Sequence, residues 1–536
     1  MASSCQFGLP GWPAVELKVQ PDLKISGLAA LALLLPVCGE SHCKESAMRR
    51  VMSCLLVLIW AAIAQPASSH AEQSLPYDRT AIFKTHVPHL NSSAGRGPEP
   101  SSQAISVGPS TRFDGPSYTV FPTVTPTTSI LEAEEHIAVD PNNANTFVAT
   151  VSDFALGGFN TTKYAVSPDN GGTWTEHYVP LDPLFGFLVT GDGYLWFANS
   201  DPTVAIDKSG NVYLANLYLD VVDNGNGLYV SVASLPAVNF TASATYPVAT
   251  NPNGSTNIQE DKPWIAVDNG TNPSTVGNVY VCWSHFVGNS DSIVVSRSLD
   301  HGVTWSPPHQ ISTSAQNGAV QGCQVAAGPS GEVYVVYEGF FVGNRRQHFM
   351  AKSVDGGGTF TIAQAITPLF NEVTFKSTYR KNSFASLTVS PTNGNVYVVY
   401  AAQPGRTAGA EVEFIVLTSG AQSFSAPVVI NDVSTGQQFM PAITTDASGV
   451  IHVSWFDTRN SPGNTAFYDI FATYSKDSGG TFAPNARVTS ALVNAGTASF
   501  IGDYAGIAAA AGFAHPVWTS GGFNNGSLET AVLQVP

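Results

Sequence analysis

From about residue 132 onward, apolar and polar positions alternate in short runs that never reach helical length. One arrangement recurs: a short apolar strand, a tight polar turn, then an aromatic-rich strand. It reads His136-Ile137-Ala138-Val139-Asp140 with Phe147-Val148-Ala149-Thr150, and returns as Val204-Ala205-Ile206-Asp207 with Val212-Tyr213-Leu214-Ala215. Ile265, Val325, Leu387, Ile443 and Ile507 open five further copies, the second strands of which include Val279-Tyr280-Val281-Cys282-Trp283 and Val396-Tyr397-Val398-Val399-Tyr400. Runs of four to eight β-branched and aromatic residues bounded by Gly, Asn, Ser and Pro read as strands. Third strands follow, such as Ser292-Ile293-Val294-Val295-Ser296-Arg297, and then weaker fourth strands. Successive units begin 56 to 67 residues apart, which accommodates a four-stranded sheet with loops. Four-stranded sheets repeated around an axis make a β-propeller. The expectation is an all-β propeller over 117–536, seven blades by repeat count. The last unit stops after a third strand, Glu529 to Val535, and Tyr118 to Val124 is the segment expected to supply its missing fourth strand.

A second signature sits between third and fourth strands. It reads Ser167-Pro168-Asp169-Asn170-Gly171-Gly172-Thr173-Trp174, then Ser298-Leu299-Asp300-His301-Gly302-Val303-Thr304-Trp305. Two more copies are Ser353-Val354-Asp355-Gly356-Gly357-Gly358-Thr359-Phe360 and Ser475-Lys476-Asp477-Ser478-Gly479-Gly480-Thr481-Phe482. These are hairpin turns in which Asp caps backbone N–H groups, Gly takes φ > 0 and the aromatic ring anchors the turn. Four copies at one phase of the repeat match the Asp-box (BNR) motif, and residues 130–536 resemble the sialidase-like superfamily of Asp-box propellers. The resemblance implies that these Asp residues are structural and lie away from the active site. It also implies six blades, the alternative to the seven counted.

Composition narrows the partners. Charged residues are 12% of the 536, aromatics 10%, with 48 Gly and 35 Pro, which excludes a largely disordered chain or a coiled coil. A formal charge of −16 excludes nucleic acid as a partner, because phosphate binding needs a basic surface.

Residues 1–71 read as a leader with a secretory signal peptide. Arg49 and Arg50 precede an apolar run from Val51 to Ala64, and Ser69-His70-Ala71 fits a small-x-small cleavage site, with Met48 as the natural start. The protein is therefore expected to be secreted or extracytoplasmic, with no stable membrane span after cleavage. Removing the leader leaves 18 Lys/Arg against 35 Asp/Glu, and two cysteines, Cys282 and Cys323. In an oxidising compartment these form a disulfide or stay as two small buried thiols. Residues 72–116 are Ser/Gly/Pro-rich and read as a flexible linker.

Loop lengths choose the working face. Turns between first and second strands are short and Gly/Asn-rich, whereas loops after second strands are longer and chemically varied, and varied loops on a rigid scaffold carry function. Entering first strands on that face are Glu134, Glu135 and His136; Asp201; Glu260, Asp261, Lys262 and Trp264; Arg380 and Lys381; Gln438; Asp503 and Tyr504. Leaving second strands are Asp153, Asp220, His285, Glu338, Arg345, Arg346, Arg406, Asp457 and Arg459. Sialidases hold a sugar carboxylate with three Arg and use a Tyr nucleophile, a Glu base and an Asp acid/base, in the chain order Arg, Asp, Glu, Arg, Arg, Tyr. Asp153, Glu338, Arg345 or Arg346, Arg459 and Tyr504 follow that order. The first Arg is absent; its Arg-Ile-Pro motif appears as Glu135-His136-Ile137-Ala138, and a carboxylate there repels an anionic sugar.

The expected catalytic set is Tyr504, Asp503, Glu338 and Asp153. The expected substrate-binding set is Arg345, Arg346, Arg380, Arg459, Asp457, Glu260, Asp261 and Lys262. Guanidinium forks suit carboxylates, and carboxyl groups suit proton transfer. The partner is expected to be a glycan or glycoconjugate, met by a glycoside hydrolase or by a non-catalytic propeller that binds glycan or protein through the same funnel. With neither Ca²⁺-loop spacing nor a His/Cys cluster, the sequence points to no metal and no cofactor.

Overall fold

The structure is a computed structural model. It describes residues 5–7, 15–17, 112–129, 131–154, 160–179, 188–189, 195–196, 198–219, 225–251, 257–404, 409–496, 498, 500–521 and 526–536. The chain divides into two compact units, Met1–Asp78 and Arg79–Pro536. In the first, Cys5–Phe7 pairs antiparallel with Val15–Leu17. The apolar run after Arg49-Arg50, the expected cleavage site and residues 72–111 of the expected linker lie outside the described residues, as do Asp220 and Arg406.

The second unit is a propeller of seven four-stranded blades, all β apart from short turns such as the 3-10 turn at Ser314–Gln316. The count from the repeats holds, and the six-bladed alternative does not. Blade 1 runs Glu132–Asp140, Asn143–Asp153, Thr161–Ser167 and Thr175–Tyr178. Blades 2 to 6 open with Ala198–Ile206, Ile258–Val267, Val320–Ala327, Ser386–Val389 and Gln438–Thr445, and blade 7 with Gly506–Ala510. These first strands lie against one another around the axis.

The apolar faces of the blades explain why the ring holds. Each interface between neighbours has its own buried cluster. Val148 and Tyr164 of blade 1 meet Val204 and Leu214 of blade 2. Tyr213 and Val230 of blade 2 meet Val281 and Trp283 of blade 3. The series runs on to Ala508 and Val517 of blade 7 against Ile137 and Ala149 of blade 1. At about 1.5–3 kcal/mol for each large apolar side chain buried, seven such interfaces dominate the stability. Cys282 in blade 3 and Cys323 in blade 4 are joined by a disulfide across one of them.

The ring is closed by strand exchange. Thr119–Val120 forms the outer strand of blade 7, with Thr119 opposite Gln534 and Val120 opposite Leu533. Val124 bridges Thr530, and Phe113 forms a parallel bridge with Phe482 of blade 6.

The four Ser-x-Asp turns share one hydrogen-bond pattern. In blade 6, Ser475 Oγ donates to Asp477 at 2.8 Å and accepts from the Gly479 N–H, while Asp477 accepts from the N–H and hydroxyl of Thr481. Gly479 has φ +89°, and an added Cβ would lie 2.5 Å from Phe414 of blade 5, so glycine is required there.

Candidate functional site

The pairing registers define a ring position. His136 faces Thr150, Thr203 faces Ala215, Trp264 faces Cys282, Gln324 faces Val336 and Ala442 faces Ser454, each directly after a bulge in a first strand. Two residues earlier in each blade the chain turns at Glu134, Asp201, Lys262, Gly322 and Met440, all with positive φ between 48° and 67°. The same phase in blades 5 and 7 gives Phe384 and Tyr504. Left-handed backbone costs a non-glycine residue of order 1 kcal/mol, and β-bulges re-aim side chains at barrel rims and active sites. Seven blades thus bring Glu134, Asp201, Lys262, Gly322, Phe384, Met440 and Tyr504 to one level of the central mouth.

Contacts cross that mouth. Asp503 of the blade 7 approach takes an ion pair from Lys262 of blade 3. It also takes Arg380 in a two-pronged pair, Nε to Oδ1 at 2.7 Å and Nη2 to Oδ2 at 2.5 Å. Asn382 donates to the Asp503 carbonyl at 2.7 Å. Three distant stretches of chain therefore meet on one carboxylate that is 2% exposed. The Tyr504 hydroxyl donates to the Pro202 carbonyl of blade 2 at 3.2 Å. Its ring meets Trp264 edge-on at 5.6 Å, and Trp264 in turn meets His136 at 4.7 Å. These three half-buried rings line the mouth beside its charged groups.

The electrostatics follow from burial. Glu134 is held well above the usual carboxylate range, first by desolvation and then by the charge of Asp201, to which its side chain is hydrogen-bonded. Burial beside another carboxyl thus favours the protonated form of Glu134. Tyr504 is pushed well up by burial and then by Glu134, Asp201, Glu135 and Asp261, so its phenol keeps its proton. Arg380 is lowered by burial, against the pull of Glu134, Asp261 and Asp201.

Of the residues expected from sequence, Tyr504, Asp503, Arg380, Lys262 and Asp261 come together here. Others are held in ion pairs and hydrogen bonds within a blade or with the connection beside it. Glu338 pairs with Arg346 at 3.0 Å, and Arg346 reaches Glu372 at 2.5 Å, with both Glu338 and Arg346 1% exposed. Asp153 pairs with Lys163 at 3.1 Å. Arg459 is clamped by Asp457 at 2.7 Å and Asp432 at 2.6 Å. Glu260 accepts from Trp283 at 2.6 Å and hydrogen-bonds His285 at 2.8 Å. Arg345 donates to the Leu369 carbonyl at 3.3 Å. Glu135, at the place of the family's first Arg, turns to the Thr519 hydroxyl of blade 7, and the carboxyl at the mouth is its neighbour Glu134. Glu134 and Asp201 stood among the rim candidates without being singled out. Their shared phase, three residues before the apolar strand of each repeat opens at Ile137 and Val204, is the signal that marks them.

Among the described residues there is no group of three or more His, Cys, Asp or Glu able to hold a metal ion.

The sequence matches no family model, and no curated protein matches it. Solved structures do resemble the fold. A protein of unknown function from Dyadobacter fermentans is 15% identical, with a TM-score of 0.41, over 78% of this chain and 100% of its own. The α-L-arabinanase of Penicillium chrysogenum is 13% identical, with a TM-score of 0.41, over 78% of this chain and 98% of its own. The intramolecular trans-sialidase of Ruminococcus gnavus is 12% identical, with a TM-score of 0.37, over 76% and 95%.

Proposed function

We propose that this chain is a secreted, sialidase-like Asp-box propeller that hydrolyses glycosidic bonds at its central mouth. The observation that carries the reading is the meeting of Glu134, Asp201 and Tyr504 with the Lys262–Asp503–Arg380 network beside the half-buried rings of Trp264 and His136. Aromatic faces suit the C–H faces of a sugar, and carboxyls suit its hydroxyls. Glu134, held protonated by burial, offers the acid form that glycoside hydrolysis needs, and a second carboxylate of the mouth, across the substrate from it, offers the base. Glu134 gives its proton to the leaving glycosidic oxygen. Water adds to the anomeric carbon as a carboxylate of the mouth takes the proton it loses. Tyr504, kept as a phenol whose O–H donates to the Pro202 carbonyl, positions its ring at the mouth rather than attacking. Asp503, saturated by Lys262 and Arg380, positions those side chains.

Secretion is supported by the bonded Cys282–Cys323 pair, which suits an oxidising compartment. It is supported further by the leader read from Met48 to Ala71, cleaved ahead of the Ser/Gly/Pro-rich stretch that leads to the propeller at Phe113. Among the described residues no helix is long and apolar enough to cross a membrane.

The test is turnover by the purified protein on a panel of aryl glycosides and soluble polysaccharides, with Glu134→Gln and Asp201→Asn beside it. Loss of about 10²-fold or more in kcat in either variant, with folding retained, supports the mechanism. No product from any substrate rejects the hydrolase; saturable glycan binding without product, lost in Arg380→Gln, would establish a non-catalytic glycan-binding propeller instead.

A further inference from the structure

A mouth that acts on glycans must also choose among them by charge, and the inference here rests on that proposed activity. Acidic sugars carry a carboxylate or a sulfate, and proteins recognise these with guanidinium or ammonium groups whose donors are available to the ligand. Among the described residues the mouth has two such groups, Lys262 and Arg380. Both are committed to Asp503, whose Oδ1 accepts from Arg380 Nε and whose Oδ2 accepts from Arg380 Nη2 and Lys262 Nζ. The neighbouring Lys381 donates instead to Ser377 Oγ at 3.0 Å and covers the ring of Phe375. Of the other arginines of the expected set, Arg346 is held by Glu338 of its own blade and by Glu372 just beyond it, Arg459 by Asp457 of its own blade and by Asp432 of the connection leading into it, and Arg345 donates to the Leu369 carbonyl.

Around the two mouth cations stand four carboxyls. Glu134, kept protonated by burial, adds no charge; Asp201 and Asp261 act on Arg380 and Tyr504 by theirs, and Asp503 bonds the cations directly. A further anion entering this partly dehydrated space meets repulsion and, among the described residues, finds no cation released from its present partner. An uncharged ring meets no such penalty, and Trp264 and Tyr504 offer it edges to pack on.

We propose that Asp503 is a specificity lock: by occupying Lys262 and Arg380 it restricts the mouth to uncharged glycans and excludes those ending in uronic, sialic or sulfated sugars. Asp503 is a specificity-determining residue by charge, with no proton to give or take in the reaction.

The experiment uses matched glycosides that differ only in oxidation at C6, such as an aryl glucoside and glucuronide or an aryl galactoside and galacturonide, with an aryl sialoside beside them. Binding and kcat/KM are measured on the full-length protein. The wild type is expected to favour the uncharged member of whichever pair it accepts by about tenfold or more. Asp503→Asn keeps the shape and frees the cations, so that ratio should fall by about tenfold or more, and adding Arg380→Gln should remove the gain. The wild-type comparison stands even if Asp503→Asn does not fold. A wild type that prefers the uronide or the sialoside overturns the inference while leaving a glycan-acting mouth in place. A folded Asp503→Asn with an unchanged ratio overturns the role of Asp503. Failure of the wild type to bind or cleave any saccharide removes the glycan reading and this inference with it.

Discussion

Tyr504, carried by blade 7, donates its hydroxyl to the carbonyl of Pro202 in blade 2, so one side chain bridges blades that are not neighbours. Tyr504→Phe is expected to cost about 1 kcal/mol of stability, the usual worth of a neutral hydrogen bond. Burial and four carboxyls hold the phenol protonated, so the loss in kcat should stay near or below about tenfold. A loss of about 10³-fold or more, read with a cleavable aryl glycoside, would identify the phenolate as nucleophile.

Ring closure predicts a second result. Tyr118 hydrogen-bonds His452 Nδ1 at 2.7 Å and is 7% exposed, immediately before the strand that seals blade 7. A protein begun at residue 125 should unfold at clearly lower urea than one begun at residue 72. A synthetic peptide of residues 112–124 should restore part of the difference when added in excess.

The Cys282–Cys323 bond closes a loop of 41 residues between blades 3 and 4. Its constraint on the unfolded chain is worth about 4 kcal/mol in the chain-entropy model. Chemical denaturation of the wild type with and without reductant should show a shift of that order. The double variant Cys282→Ala/Cys323→Ala should match the reduced protein and be indifferent to reductant.

Glu413, in a small cleft beside Leu369, Phe370 and Pro404, accepts a 2.5 Å hydrogen bond from Tyr400 and is raised by burial to about 7. A carboxyl whose folded pKa exceeds its unfolded value binds more protons when folded. Its contribution is complete below about pH 4.5 and is lost as pH rises through about 7. Glutamine keeps an acceptor for Tyr400 and does not titrate. Glu413→Gln should therefore gain on the wild type by up to about 3 kcal/mol between pH 5 and pH 8. Denaturation midpoints of the two proteins across that range check it; a constant difference would contradict the assignment.

The architecture was legible because its determinants are periodic and local. Seven copies of one strand–turn–strand phrase, each with Val-Tyr or a similar pair in the second strand, allow little besides a propeller, and the short run at Tyr118–Val124 matched the gap left in blade 7. The mouth was only partly legible. Tyr504, Asp503, Arg380, Lys262 and Asp261 were found by asking which residues enter first strands on one face. Glu338, Asp153, Arg345, Arg346, Arg459 and Asp457 answered to chain order or loop position, and neither says whether a charged group faces the axis or its own blade; Glu260 entered a first strand like the others, yet it bonds Trp283 and His285 of its own blade. Arg346 shows the difficulty: its rim position suggested ligand binding, yet Glu338 on the adjacent strand and Glu372 close by take its charge. Pairings between groups far apart in sequence, such as Lys262 with Asp503, carry no local signal at all.

The seal between Thr119–Val120 and Leu533–Gln534 also bears on how the protein is made. An emerging chain cannot lock its circle until position 534 has been synthesised, so six wedges wait with blade 7 unfinished and one flank open. Such an edge invites pairing with a neighbouring copy. The long delay between making the first and last partners of one sheet makes late assembly, rather than any single blade, the step at which this molecule is most exposed to aggregation.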